Sequence, residues 1–251
     1  KGRDREPAFM KVLRREIDEG MTALDVGANI GYVSLIMADL VGPSGKVYAL
    51  EPSPHNFKIL KKNVEVNQYE NRVEVFQNGV SDRSGTSTFH LSAESNLHSI
   101  QPTKNTKSSI DIELVKLDDF LRDKKSPNFI KMDIEGHEVE ALAGAVNALK
   151  EAPPPVRILM EVHPMFYSAE HSLEVSLRKL LEIGFHSKYV ISAATGRPDF
   201  FIERGYKPDE IIDAGKWERG IYSNVSDEDM ILSACHQHNQ YLEKHNIHTK
   251  K

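Results

Sequence analysis

The sequence has little cysteine and no long hydrophobic run. Cys235 is its one cysteine, which excludes a disulfide framework and a cysteine-based zinc site and fits a reducing cytosol. No apolar stretch approaches the ~18 residues that a membrane-spanning helix needs. We therefore expect a cytoplasmic protein with no membrane span. Because the chain begins at Lys1 without a Met or a signal peptide, we also expect a trimmed or processed N-terminus.

Basic residues are fewer than acidic ones. The chain has 32 Lys and Arg against 37 Asp and Glu, which gives a net charge of −5. A nucleic-acid substrate usually requires a basic face, so this balance argues against nucleic-acid binding. Hydrophobic residues make up 39% and charged residues 27% of the 251 residues, which fits one globular α/β domain with a large core.

What the sequence does have is a strand, a glycine-punctuated turn and a helix near its N-terminus. An apolar run ends at Asp25, and helical apolar spacing begins after Gly31. Gly27 and Gly31 have no Cβ, so a ligand can approach the backbone closely. The next apolar run, residues 47–50, ends at Glu51. This order is that of a nucleoside-binding βαβ unit whose acid holds the ribose hydroxyls.

The spacing of the turn bears on which nucleoside binds. The dinucleotide fingerprint is G-x-G-x-x-G, whereas this chain has Gly27-x-Asn29-x-Gly31 followed by Tyr32. A carboxylate at Asp25 would repel a pyrophosphate and attract an ammonium or sulfonium by roughly a kcal/mol or more. S-adenosylmethionine carries both cations and no phosphate, so the turn predicts a site for it. The predicted binding residues are Asp25, Gly27, Ala28, Asn29 and Gly31.

Three segments together resemble the FkbM-type methyltransferases, which are class I S-adenosylmethionine-dependent enzymes. The segments are LDVGANIG at 24–31, LEP at 50–52 and IKMDIEG at 130–136. All class I methyltransferases share the Asp-x-x-Gly turn, but the Lys-x-Asp-x-Glu-Gly stretch is more specific to this family. The resemblance covers about residues 23–163 and implies a seven-stranded, mostly parallel, Rossmann-like sheet with its last strand antiparallel.

Strands alternate with helices throughout, which favours one doubly wound α/β sheet with helices on both faces. We expect a single methyltransferase domain over residues 1–251. Its parts are an N-terminal helix within 1–20, a cofactor-binding core at 21–192, and an edge strand with a C-terminal helix in 193–251.

Several local predictions bear on the site. They are a loop at 78–82, a surface loop over the acceptor pocket at 92–107, one helix at 138–149, an edge strand at 221–225, a helix at 227–245 and a frayed segment at 245–251.

Polar residues occur at the carboxyl ends of several predicted strands, which is where such sheets bind ligands. The resemblance implies that Glu51, with Pro52 beside it, holds the ribose. It also implies that the loop with Asn78 and Val80 runs past the adenine, which makes both residues binding candidates by position. An ordinary strand-to-loop transition would have the same sequence pattern. It places Asp133 beside the methionine end of the cofactor and the acceptor.

His163 is the predicted general base. It lies two residues beyond Glu161, so both side chains face the same way at a strand end. A histidine titrates near neutral pH and can accept an alcohol proton. The alternative is a structural histidine that fixes the loop before Pro164. Asp133 and Glu135 are the other catalytic candidates. For Glu135, and more so for Glu138, the alternative is a helix cap.

A divalent metal is a second arrangement for the same residues. Asp133, Glu161 and His163 form an oxygen-rich set that could bind a metal and lower the pKa of the acceptor hydroxyl. We do not favour it, because the Asp-Asn pair of metal-dependent methyltransferases of this fold is missing. His236 and His238 are a further conceivable pair, but a solvated helix face is the better interpretation.

The resemblance implies O-methylation of a hydroxyl on a sugar, glycolipid or secondary metabolite. The expected cofactor is S-adenosylmethionine, and the expected partner is a small-molecule or carbohydrate acceptor. Two alternatives stay open: an NAD-linked oxidoreductase, and a catalytically silent cofactor- or partner-binding module of the same fold. The oligomeric state is open as well.

Overall fold

The computed structural model of the chain describes residues 6–92, 99–100, 106–192, 200–213, 215, 218–235 and 244–250. Residues 17–156 form one unit, and residues 1–16 with 157–251 form the other. Most of the predicted loop at 92–107 lies outside the described residues, as do residues 193–199, His236 and His238. The single-domain organisation stays a prediction.

The unit of residues 17–156 alternates strands with helices, as the sequence predicted, except within residues 73–116, where four strands follow one another among the described residues. Its elements are β1 (Thr22–Val26), α2 (Tyr32–Val41), β2 (Lys46–Leu50), α3 (Pro54–Val66), β3 (Val73–Phe76), β4 (Gly79–Ser81), β5 (Gly85–Ser92), β6 (Thr106–Lys116), α4 (Leu117–Phe120), β7 (Phe129–Met132), α5 (Glu138–Ala143) and α6 (Val146–Glu151).

Four of these strands form a parallel sheet in the order β7–β1–β2–β3. Val26 pairs with Leu50 on one side and with Met132 on the other, so the carboxyl ends of three strands lie at one edge. Every residue of β1 and β7 is buried, which is typical of parallel strands in α/β proteins. The predicted α/β class is therefore confirmed, whereas seven strands stay a prediction.

Local signals explain where α3 begins. Ser53 is its N-cap and accepts a hydrogen bond from the Asn56 N–H at 3.4 Å. Pro54 occupies the first helical position, where a missing N–H costs nothing. Only residues 51–53 therefore separate the end of β2 from the start of α3.

Residues 78–82 are not the predicted loop, because residues 79–81 form strand β4. This strand pairs in parallel with β6 in a second sheet of order β4–β6–β5. A Cβ at Gly79 would lie 2.7 Å from Leu114 Cδ2, so the leucine side chain packs directly over this glycine. Three residues are too short to show a strand period, which is why the prediction was wrong.

The helix predicted at 138–149 is two helices, α5 and α6, interrupted at Gly144. A Cβ at Gly144 would lie 2.0 Å from the carbonyl oxygen of Ser81. The Gly144 carbonyl in turn accepts a hydrogen bond from the Asp118 N–H at 2.8 Å. The break therefore follows from a backbone approach by residues distant in sequence.

The second unit holds a sheet of order β10–β11–β9–β12–β8. Its elements are α1 (Pro7–Glu16), β8 (Arg157–Val162), a 3-10 helix (Pro164–Phe166), α7 (Leu173–Glu182), β9 (Phe185–Ile191), α8 (Phe200–Glu203), β10 (Glu210–Asp213), β11 (Glu218–Ser223), α9 (Asp227–Cys235) and β12 (Lys244–Lys250).

Three predictions for the C-terminal region were wrong. A frayed segment was predicted at 245–251, but residues 245–250 belong to β12, which pairs antiparallel with both β8 and β9; residue 251 lies outside the described residues. Only one of the seven residues of β12 is apolar, so its sequence shows no strand pattern. The helix predicted at 227–245 ends at Cys235, and β11 is not an edge strand, because β10 pairs with its outer side.

The buried Glu16 anchors the end of α1 within this second unit. Its Oε2 accepts a hydrogen bond from Lys188 Nζ at 2.5 Å and lies 3.2 Å from Arg157 Nε.

In the described part of the chain, no helix has the length and apolar character to cross a bilayer.

The contact at Gly144 gives a first prediction. Gly144→Ala should destabilise the protein by about 2–3 kcal/mol, because the new Cβ overpacks against the Ser81 carbonyl. Gly184→Ala is the control: nothing lies within 4 Å of its Cβ position, and only its φ of +94° opposes the change. That control should cost about 1 kcal/mol. Equal costs in chemical denaturation would contradict the prediction.

Candidate functional site

The turn between β1 and α2 has an unusual backbone. Gly27, Asn29 and Gly31 have φ values of 78°, 50° and 91°, which lie in the left-handed region. Glycine adopts this region freely, and asparagine tolerates it better than most residues. At Gly27 there is also no room for a side chain, because a Cβ would lie 2.0 Å from the carbonyl oxygen of Asp133. The residue types in this turn are therefore set by its shape.

Four backbone N–H groups of the turn donate to acceptors within the protein. Gly27 and Ala28 donate to the Leu50 carbonyl at 3.1 and 2.9 Å, Asn29 donates to Glu51 Oε2 at 2.8 Å, and Gly31 donates to the Ala28 carbonyl at 2.9 Å. A pyrophosphate site instead aims such N–H groups at the ligand. This turn is therefore poorly arranged for a dinucleotide.

The side chain of Asn29 offers an acceptor instead. Its Oδ1 is buried, and no donor among the residues that the structure describes reaches it. A buried polar atom without a partner costs free energy, so such an atom in a turn is a feature to be explained. A ligand that carries an N–H donor, such as an ammonium group, would satisfy it.

Glu51 follows β2 and is buried, with 5% of its surface exposed. Its Oε2 accepts from the Asn29 N–H, and its Oε1 accepts from the Ser53 N–H at 2.9 Å. Burial raises the pKa of Glu51 to about 7, although the hydrogen bonds from Ser53, Asn29 and Asn56 oppose the rise. A carboxylate has about four acceptor sites, and these three donors leave about one, on Oε2, for a ribose hydroxyl.

Asp25 is fully buried, and its charge is paired within the protein. Ser34 Oγ donates to Asp25 Oδ2 at 2.6 Å, and Lys131 Nζ lies 3.1 Å from Asp25 Oδ1. A cation therefore already lies beside this carboxylate, so its charge is balanced before any cofactor binds. Direct binding of the cofactor by Asp25 stays a prediction.

Sequence reasoning missed two side chains that hold the turn. Lys131 Nζ donates to the Gly27 carbonyl at 2.8 Å, and Asn63 Nδ2 donates to the Ile30 carbonyl at 2.7 Å. One signal was available for Lys131: a lone charged residue in a four-residue apolar strand must find buried partners. Asn63 gives no comparable signal.

The segment after β7 contains the predicted Asp133 and Glu135, which are both half-buried. Glu135 has a φ of 52°, and its carbonyl accepts from Ser99 Oγ at 2.9 Å. Glu138 is fully buried, and its Oε1 accepts from the Gly136 N–H at 3.2 Å. Glu138 therefore bonds to the backbone at the start of α5, as its capping interpretation implies.

The adenine candidates lie near a second buried cluster. Asn78 is half-buried, and Val80 is 3% exposed within β4. Next to Val80, Ser81 Oγ lies 3.0 Å from His137 Nε2, and His137 Nδ1 lies 3.2 Å from Glu140 Oε2. Ser81 is fully buried, so this cluster connects β4 to the start of α5 and offers no nucleophile to solvent.

His163 and Glu161 belong to the other unit, and each is 6% exposed. The His163 N–H donates to the Tyr167 hydroxyl at 3.1 Å, and its carbonyl accepts from the Phe166 N–H at 3.0 Å. These bonds fix the backbone at the end of β8. The catalytic role of His163 stays a prediction, and so does a metal set of Asp133, Glu161 and His163.

Residues 25–189 match the family described as Methyltransferase FkbM domain. The chain belongs to this family. The match confirms the resemblance carried by the glycine turn and by IKMDIEG. The cofactor of this class of methyltransferase is S-adenosylmethionine, which removes the NAD-linked alternative.

Two relatives and one solved structure extend the comparison. Hexuronic acid methyltransferase AglP of Haloferax volcanii is 30% identical over 162 residues, which cover 63% of this chain and 62% of that protein. Protein-L-isoaspartate O-methyltransferase of Methanothrix thermoacetophila is 43% identical over 56 residues, 22% of this chain and 27% of that enzyme. The chain thus spans less than two thirds of either relative.

The solved structure of StiE O-MT residues 961–1257 has a TM-score of 0.52 at 13% identity, and it covers 98% of this chain and 73% of that one. At this identity the likeness concerns the fold alone. It agrees with the α/β methyltransferase fold.

The raised pKa of Glu51 predicts how stability depends on pH. The folded pKa of about 7 exceeds the ordinary value of 4.5, so the folded state holds this proton more tightly than the unfolded state. The free energy of unfolding should therefore fall as pH rises between these values, by up to about 3 kcal/mol. Glu51→Gln should remove this part of the pH dependence in chemical denaturation at about pH 5 and about pH 8.

Glu65→Gln is the matched control, because Glu65 is an exposed acid on the neighbouring α3. It should keep the wild-type pH dependence. A Glu51→Gln variant that loses stability with pH as the wild type does would disprove the assigned cause.

Proposed function

We propose that this chain binds S-adenosylmethionine at the turn of residues 26–31 and transfers its methyl group to a hydroxyl of a sugar-containing or related small-molecule acceptor. The internally satisfied N–H groups of the turn, together with the unpartnered Asn29 Oδ1, carry the proposal. They suit a ligand with an ammonium rather than a pyrophosphate. The proposal keeps the seven-stranded sheet that the family resemblance implies.

Each part of the cofactor has a proposed partner in the chain. Glu51 would accept hydrogen bonds from the ribose hydroxyls, with Pro52 beside it, and Asn78 and Val80 would pass the adenine. The methionine end would lie along the turn and Asp133. When bound, S-adenosylmethionine supplies a methyl group on a sulfonium, whose sulfur departs as a neutral thioether.

The protein then has two tasks. It aligns the acceptor oxygen with the methyl carbon, which is the main source of rate enhancement when the leaving group is already good. It also removes the hydroxyl proton. Alcohol pKa values lie far above 7, so a base must take the proton as the oxygen attacks. We assign this role to His163 and assign Asp133 and Glu135 to the acceptor side.

The acceptor class rests on one relative. AglP is named a hexuronic acid methyltransferase, and it matches 63% of this chain at 30% identity. Uronic acids and other hydroxylated sugars are therefore the first acceptors to test, followed by glycolipids and hydroxylated secondary metabolites.

The first test of the proposal is calorimetric titration with S-adenosylmethionine and with NAD, each with and without magnesium. We expect binding of S-adenosylmethionine alone. Glu51→Ala should weaken that binding by about 1–3 kcal/mol, because it removes a charged hydrogen-bond acceptor. Glu65→Ala should leave it unchanged.

Binding of NAD would contradict the proposed site. Binding of S-adenosylmethionine with no turnover on any hydroxylated acceptor would favour the catalytically silent module instead. An affinity that survives Glu51→Ala would mean that this acid does not hold the ribose.

The proposed base gives a separate prediction. His163→Ala should leave S-adenosylmethionine affinity unchanged and slow methyl transfer at least about tenfold, as expected for loss of a general base. His171→Ala is the control, because His171 lies in the same region and bonds to the Phe166 carbonyl through Nδ1 at 2.9 Å. Turnover of His163→Ala at the wild-type rate would exclude His163 as the base.

A further inference from the structure

We propose that Lys131 is a positioning residue for the cofactor: its ammonium group holds the Gly27 carbonyl and thereby keeps the turn of residues 26–31 in its binding shape. This inference rests on the proposed function, because it concerns the same site. It assigns Asp25 a different role from the one that the sequence suggested.

The charge of Lys131 lies in the core of the protein. Lys131 lies within β7, whose four residues are all buried, and 4% of its surface is exposed. A buried ammonium is costly unless it is paired and hydrogen-bonded. A chain that needed only a core strand here would be more stable with an apolar residue, so the lysine requires an explanation.

The Lys131 ammonium binds the backbone just beyond the paired part of β1. Beyond the end of the β1–β7 pairing, the Asp133 N–H donates to the Val26 carbonyl at 3.1 Å. Lys131 Nζ then donates to the next carbonyl along the chain, that of Gly27, at 2.8 Å. The side chain therefore extends the attachment of β1 to β7 by one peptide unit, into the left-handed turn.

Asp25 is the ion-pair partner of this ammonium. Its Oδ1 forms an ion pair with the ammonium at 3.1 Å, whereas the short hydrogen bond of the ammonium goes to Gly27. Ser34 Oγ, on α2, fixes the other carboxylate oxygen at 2.6 Å. Asp25 thus pairs with the Lys131 ammonium and orients it. Ser34 on α2 therefore holds Asp25, Asp25 holds Lys131, and Lys131 holds the turn.

The turn needs such a restraint because its shape is unfavourable for most chains. Asn29 pays a conformational cost at a φ of 50°, and such backbone states persist only where the surroundings impose them. Glu51 holds the Asn29 N–H, and Lys131 holds the Gly27 carbonyl two residues earlier. Loss of either contact should let the turn relax away from the shape that fits the cofactor.

The test compares Lys131→Met with the double variant Lys131→Met/Asp25→Asn. The single variant leaves the buried Asp25 carboxylate without its cation, so its thermal unfolding temperature should drop. The double variant removes both charges together, which buried ion pairs often tolerate, so stability should largely return. Its affinity for S-adenosylhomocysteine, measured by calorimetry well below the unfolding temperature, should stay at least about tenfold weaker than that of the wild type, whereas Asp25→Asn alone, which keeps the Lys131 ammonium, should lose less affinity.

The control is Lys188→Met, which removes a lysine from the buried Glu16 in the other unit. It should lower the unfolding temperature and leave S-adenosylhomocysteine affinity within about twofold of the wild type. If Lys131 only supports the core, stability and affinity will recover together in the double variant, and the inference is wrong. A wild-type protein that binds neither S-adenosylhomocysteine nor S-adenosylmethionine would instead refute the proposed function.

Discussion

The approach of Gly27 to the Asp133 carbonyl is the contact on which the candidate site depends. With 2.0 Å between a hypothetical Cβ and that oxygen, only glycine lets the chain after β1 pass so close to the chain after β7. In-register pairing of β1 with β2 and β7 brings Gly27, Glu51 and Asp133 to one edge of the sheet. The positions of these three ligand-binding candidates follow from that pairing.

Two carboxylates at this edge have opposite electrostatic environments. Asp25 has an ammonium at 3.1 Å and a hydroxyl donor at 2.6 Å, so both of its oxygens have partners within the fold. Glu51 has mainly backbone donors, and burial raises its pKa to about 7. One acid therefore serves the structure of the turn, and the other can exchange a proton near neutral pH. Similar sequence positions at the ends of neighbouring strands thus carry different chemistry.

Much of this site could be predicted from local sequence. The glycine turn, Glu51 and the first two strands were predicted because apolar periodicity and glycine spacing lie within about 30 residues. The contacts that were missed join distant positions. Lys131 reaches Gly27 across 104 residues of sequence. Gly144, between α5 and α6, approaches the distant Ser81 in β4. Strands β4 and β12 were missed because three residues, or one apolar residue in seven, show no period.

The location of β12 has a consequence for synthesis. Residues 244–250 pair with both β8 and β9, yet they follow every other described element in the chain. On the ribosome, β8 and β9 emerge long before the strand that joins them. Until then each presents an unpaired backbone edge, a surface that other chains can join. Folding of this sheet therefore finishes late, and nascent chains halted before residue 244 should be clients for chaperones.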